Sequence, residues 1–112
     1  MLTHLGFLRC GVDQAVFFRR ERWAVIMVLV HVDDCMIAVT SITLITDFKA
    51  WISEHVDITD LGKLHWLLGI EIKCDQEHHT IHLSQHSYIN SILWCYGLQN
   101  LKPVSISMDT NI

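Results

Sequence analysis

Two carboxylates stand side by side where two very apolar segments meet. Ala24–Val30 and Cys35–Val39 flank the four residues His31-Val32-Asp33-Asp34. Each segment is short, rich in β-branched and aliphatic residues and free of turn formers, which predicts a buried strand. The junction leaves room only for a tight antiparallel hairpin, so Asp33 and Asp34 are expected at or beside its tip. As a turn, the sequence is poor. Two-residue hairpin loops favour Asn-Gly, Asp-Gly or Gly-X because they need positive φ. This junction has no glycine and sets two like charges together. Such a penalty points to a site, because carboxylates held together on a rigid hairpin can bind a divalent cation. A solvated Asp-Asp turn is the plainer alternative.

The chain has 112 residues, 51% hydrophobic and 18% charged. That fits one small globular domain or part of a larger one. The apolar material exceeds what a small domain hides, which predicts surfaces normally covered by further protein. The longest apolar run, Trp23–Val30, is too short to span a bilayer. Met1–Cys10 has no signal-peptide pattern. The expected location is intracellular, in cytoplasm or nucleus, with no membrane partner. Cys10, Cys35, Cys74 and Cys95 form no paired motif. Cys35 and Cys95 fall on apolar faces and are expected as buried free thiols. A net charge of −4 argues against strong autonomous nucleic-acid binding. The one dense basic cluster, Arg19-Arg20-Glu21-Arg22, reads as a solvated hairpin turn.

Met1–Phe7 reads as the end of a helix stopped at Gly6. Ala15–Arg19 is a strand candidate, and Arg20–Arg22 turns it into the long strand Trp23–His31. Cys35–Val39 pairs back. Ser41 offers an N-cap to a helix reaching about Val56. Leu44, Ile45, Phe48, Trp51, Ile52 and Val56 have the spacing of one helix face packed on a sheet. Leu64–Lys73 is a second apolar segment, and Gly69 inside it suggests a bulge or a close backbone approach. Asp75–His79 turns it into Thr80–Ser84. Ser84 or Ser87 then caps a last helix ended by Gly97. The order predicts an α+β fold, an antiparallel sheet with helices on one face.

In this order the motifs resemble the reverse transcriptase of copia-type LTR retrotransposons. Gly6-Phe7, Asp13 and Val16-Phe17 resemble the approach to its catalytic strand. His31-Val32-Asp33-Asp34 with Met36-Ile37-Ala38 resembles its Tyr-Val-Asp-Asp box. Asp60-Leu61-Gly62-Lys63-Leu64, then Leu68-Gly69-Ile70-Glu71-Ile72, resembles its "DLGxLxxFLGIEI" signature. Ile81-His82-Leu83-Ser84-Gln85 with Tyr88-Ile89 resembles "IxLSQxxYI", and Lys102-Pro103-Val104 resembles its "KPV" tail. Several unrelated short patterns in collinear order make a strong signal.

The resemblance implies a partial palm with its Asp-Asp hairpin and following helix over 1–62. It implies a primer-grip hairpin over 63–85, and the start of a thumb helix with its tail over 86–112. Asp33 and Asp34 would be catalytic and would bind Mg²⁺ or Mn²⁺ for two-metal nucleotidyl transfer. Trp66, Leu67, Leu68, Gly69 and Ile70 would hold the primer terminus. Template-primer nucleic acid and dNTP would be the partners. The family's further catalytic carboxylate lies well upstream of its Asp-Asp box, and so do the fingers. This chain is expected to lack both, to be inactive alone, and to self-associate or require the missing segment. His31 and Val32 neighbour the pair, and His31 departs from the family's Tyr. That change reads as drift in a decayed copy of the element.

Three other features have bland readings. Cys74, His78, His79, His82 and His86 have zinc-ligand chemistry, but the hairpin puts them on different elements. Phe48 and Trp51 belong to the helix face rather than to a base-stacking platform. Glu71 is expected at a sheet edge facing solvent. Two further functions stand beside the polymerase fragment. One is a co-opted interaction module using an exposed apolar palm face, and the other is a small metal-binding domain built on the His-rich hairpin.

Overall fold

A computed structural model describes residues 1–108. The chain divides into two compact units, Met1–Leu61 and Gly62–Ile112.

In the first unit a short 3-10 helix, Leu2–Leu5, is closed by Gly6 in the left-handed region at φ 78°. Four strands follow: β1 (Leu8–Arg9), β2 (Val16–Glu21), β3 (Ala24–His31) and β4 (Asp34–Val39). They form one antiparallel sheet in the order β1-β2-β3-β4. Helix α1 (Ile42–His55) comes next. Ser41 stands at its N-cap, but its hydroxyl bonds the Thr43 hydroxyl at 2.8 Å and not a backbone N–H.

Alternation along the strands decides what meets the helix. Ile26 and Val28 point to one face and are fully buried with Phe7 and Phe48. Phe17, Ile37, Val39, Trp51 and Ile52 pack around them. Phe48 meets Phe7 edge-on at 5.7 Å and Trp51 at 6.3 Å. The face spacing in α1 therefore does what its periodicity predicts. The exception is Val56, which lies past the last turn as an exposed, extended C-cap. The opposite parity of the sheet carries Leu8, Val16, Phe18, Met27, Leu29 and Met36. Of these, Leu8 and Met27 are large exposed side chains.

Two expectations for this unit need correction. Trp23 is not the first residue of β3. The ladder pairs Glu21 with Ala24, so Arg22 and Trp23 form the turn, and Trp23 is 98% exposed. Arg19 is not solvated either. It shares parity with Phe17, so its guanidinium lies over the Phe7 ring at 5.0 Å, donates to the Leu5 carbonyl at 3.0 Å and pairs with Glu21 at 2.7 Å. A cation on a core-facing strand position is tolerable because carbonyl, carboxylate and ring all compensate it.

The second unit holds β5 (Trp66–Leu67), β6 (Ile70–Asp75), β7 (Thr80–Ser84) and helix α2 (His86–Cys95). The strands form an antiparallel sheet in the order β5-β6-β7. Gly69 makes no bulge. Leu68 and Gly69 have φ 53° and 77°, and this two-residue loop of paired positive φ folds Leu64–Lys73 into a tight hairpin. Consequently Glu71 lies on the central strand, paired across to Trp66 and Ser84, and not at an edge. The Ser84 hydroxyl accepts from the His86 N–H at 3.2 Å at the start of α2. At its end the Gly97 N–H bonds the Trp94 carbonyl and the Leu98 N–H bonds the Leu93 carbonyl. Those two bonds define a Schellman stop built on a left-handed glycine. Ile72 is the one buried hydrophobic side chain described in this unit.

Among the described residues no helix is long and apolar enough to cross a membrane. The expected tail continues past the described residues, and 109–112 lie outside them.

Candidate metal-binding hairpin

The β3–β4 ladder runs from Ile26 opposite Val39 to His31 opposite Asp34. That register leaves Val32 and Asp33 as the loop, with Asp34 the first residue of β4. Both carboxylates therefore sit at the tip, anchored by a ladder of six residue pairs, and both are exposed. Asp34 shares parity with Met36, so with His31 it belongs to the sheet face that α1 does not cover. Val32 is at φ 52°, a region where a β-branched residue is a genuine outlier. The sequence argument that this turn lacks the residue it needs is met by backbone strain at Val32.

The strain makes a prediction. Val32 is 84% exposed, so its side chain contributes little packing. Val32→Gly is expected to raise stability by about 1 kcal/mol, the strain released minus the added chain entropy. A rise of a few degrees in the thermal midpoint would show it; an unchanged or lower midpoint would contradict it.

The remaining candidates fall elsewhere. Trp66 and Leu67 form β5, Leu68 and Gly69 the loop, and Ile70 opens β6, all within the second unit. Trp66 and Leu68 are more than half exposed. Asp13 organises its own turn, accepting from the Ala15 N–H at 2.9 Å and leading the chain into β2. The His-rich stretch does not converge. His78 Nδ1 donates to Asp75 at 2.8 Å, and Asn90 Nδ2 donates to His86 Nε2 at 3.1 Å. The His78 backbone and ring bonds hold the Asp75 carboxyl below its ordinary range. Among the described residues no three His, Cys, Asp or Glu side chains could together hold a metal ion.

The four cysteines are free, as expected, but Cys35 and Cys95 are exposed rather than buried. Cys35 follows Asp34 in β4, and partial desolvation of its sulfur pushes the thiol up. Arg19 and Trp23 are the two misplaced residues that a local signal could have found. Counting parity from Phe17 finds the first, and allowing a two-residue turn before Ala24 finds the second.

A strand-rich unit presenting paired carboxylates on a hairpin is the kind of element a nucleotidyl-transferring polymerase uses. The family described as reverse transcriptase (RNA-dependent DNA polymerase) matches residues 1–110, and the chain belongs to it. It is 33% identical over 100 residues to the retrovirus-related Pol polyprotein from transposon TNT 1-94 of Nicotiana tabacum. It is 31% identical over 107 residues to the Pol polyprotein from transposon RE1 of Arabidopsis thaliana. These alignments take 88% and 96% of this chain but only 8% and 7% of the polyproteins. An uncharacterized mitochondrial protein of Arabidopsis thaliana is 35% identical over 77 residues, 69% of this chain and 31% of that protein. The copia-type resemblance read from the motifs is thereby established. No solved structure matches the chain.

Proposed function

We propose that Asp33 and Asp34 are the metal-binding carboxylates of a reverse-transcriptase palm hairpin, and that the chemistry they serve is RNA-directed DNA synthesis. One observation supports this above the others. The register brings both carboxylates to one exposed tip in a chain matched to that family over nearly its whole length. The donor set suits Mg²⁺ or Mn²⁺, hard cations that take one or two carboxylates and complete their shell with water and phosphate. When bound, the metals would offset phosphate charge and activate the primer hydroxyl.

The chain's own contribution is placement. The β3–β4 ladder fixes the tip, so the carboxylates need little reorganisation to receive a cation. Trp66–Ile70 form the primer-grip-like hairpin, which would position the primer terminus. In this reading 1–62 is partial palm, 63–85 the grip and 86–112 the start of the thumb, with template-primer and dNTP as partners. The same reading expects these 112 residues alone to bind metal without extending a primer.

Manganese binding to the purified chain tests this, parent against Asp33→Asn/Asp34→Asn. The parent should bind and the double variant should bind at least tenfold more weakly. Neither should extend a primer on poly-rA. Equal binding by parent and variant would remove the hairpin from the site, and primer extension by the parent would overturn inactivity.

The uncovered sheet face supports a second reading, an interaction module. Leu8, Phe18, Met27 and Leu29 form its apolar surface, and burial of that surface against protein is the use it fits.

A further inference from the structure

At the end of β3 remote from the carboxylates, the β2–β3 turn carries an indole with almost no protein contact. Trp23 is 98% exposed, on a turn whose first residue, Arg22, is held at φ 50°. Arg20 and Arg22 precede it on the same turn, both exposed. Glu21, the acid between them, is claimed by Arg19 at 2.7 Å. Among the described residues, neither Arg20 nor Arg22 has an acidic partner within 4 Å. The tip thus presents one planar aromatic face on the same turn as two uncompensated cations, on a chain whose net charge is −4.

We propose that the Arg20–Trp23 turn is a contact site for single-stranded nucleic acid, with a base stacked on Trp23 and phosphates on Arg20 and Arg22. Each feature has its counterpart in that ligand. A base offers a π-face of the size of the indole, and the backbone offers charge on either side of it. An acidic peptide would use the arginines and leave the indole in water. A lipid surface would need more apolar anchorage than one side chain among Arg20, Glu21 and Arg22 supplies. The site is separate from the carboxylate pair. The eight residues of β3 span roughly 25 Å at strand rise. The proposal shares with the polymerase reading only the class of ligand, and none of its residues. The overall acidity keeps the contact weak, on the order of 0.1 mM at physiological salt.

The test is anisotropy of a labelled 15-nucleotide single-stranded RNA titrated with the full chain at several salt concentrations. Trp23→Ala should weaken binding roughly tenfold or more, and Trp23→Phe should restore most of it. Arg20→Gln/Arg22→Gln should flatten the plot of log affinity against log salt by about 1.4, two phosphate contacts' worth on a single strand. Thermal melts check the fold, which an exposed turn residue should not disturb. Trp23→Ala should bind Mn²⁺ like the parent, so failure of the metal site and failure of this site are told apart. Parent-like RNA binding by Trp23→Ala overturns the proposal. So does a Trp23-dependent preference for polyglutamate or for anionic phosphatidylserine vesicles over RNA.

Discussion

Phe48→Ala is expected to bring the first unit to the edge of unfolding at 25 °C. Phe48 is one of four side chains in the buried cluster, with Phe7, Ile26 and Val28, and it is the only one that α1 supplies. Its ring packs edge-on to Phe7 and tilts against Trp51. Removing a buried phenyl ring costs about 3–5 kcal/mol, part transfer and part cavity. Small domains have only about 5–15 kcal/mol to lose, and a core this size belongs at the low end. Urea denaturation should show the midpoint collapsing toward zero, whereas Phe48→Leu should keep a measurable transition. Trp94→Ala, an exposed truncation in α2, should move stability by about 0.5 kcal/mol or less. A Phe48→Ala protein as stable as its parent would mean that α1 is not what covers the sheet.

The second large effect concerns mass. On the sheet face that α1 does not cover, Leu8 is 63% and Met27 46% exposed, and apolar side chains grouped on one exposed face of a small unit fit burial against protein. The purified chain is therefore expected to self-associate at micromolar concentration, as read by light scattering or sedimentation. Leu8→Lys/Met27→Lys places two charges on that face without touching the core, and should shift the distribution toward monomer. A parent that sediments as a monomer of 13.0 kDa would remove the argument for a covered face, and the interaction-module reading with it.

The main elements were legible because their signals were local. Two apolar runs around His31–Asp34 specify a hairpin, and the Leu44, Phe48, Trp51, Ile52 spacing specifies which face of α1 packs. Gly97 specified a helix stop, and the two Schellman bonds realise it. The misreadings share a cause. Leu64–Lys73 is apolar almost throughout, and an unbroken apolar run hides a turn inside it. Gly69 was the one available signal, and it marks a positive-φ turn as readily as a bulge. Hydrophobicity places Trp23 in a strand, yet the register needs it in the loop. Charge places Arg19 in solvent, although parity with Phe17 points it inward. Glu71, Cys35 and Cys95 depended on which strands become central and what packs on them, which no local pattern encodes. The carboxylate pair itself was visible in sequence, while its polymerase meaning came from the collinear motifs around it.

The pairing of His31 with Asp34 imposes an arithmetic on any lineage that inherits this hairpin. Strand faces alternate, so a one-residue slip of β4 against β3 would turn the carboxylate at its start from the open face toward the one α1 covers, and turn Ile37 and Val39 out of the core. An ionised carboxylate there would need a compensating partner of its own. A change of length at this tip is therefore expected to be taken up in the loop with the ladder left in register, a constraint set by odd and even rather than by chemistry.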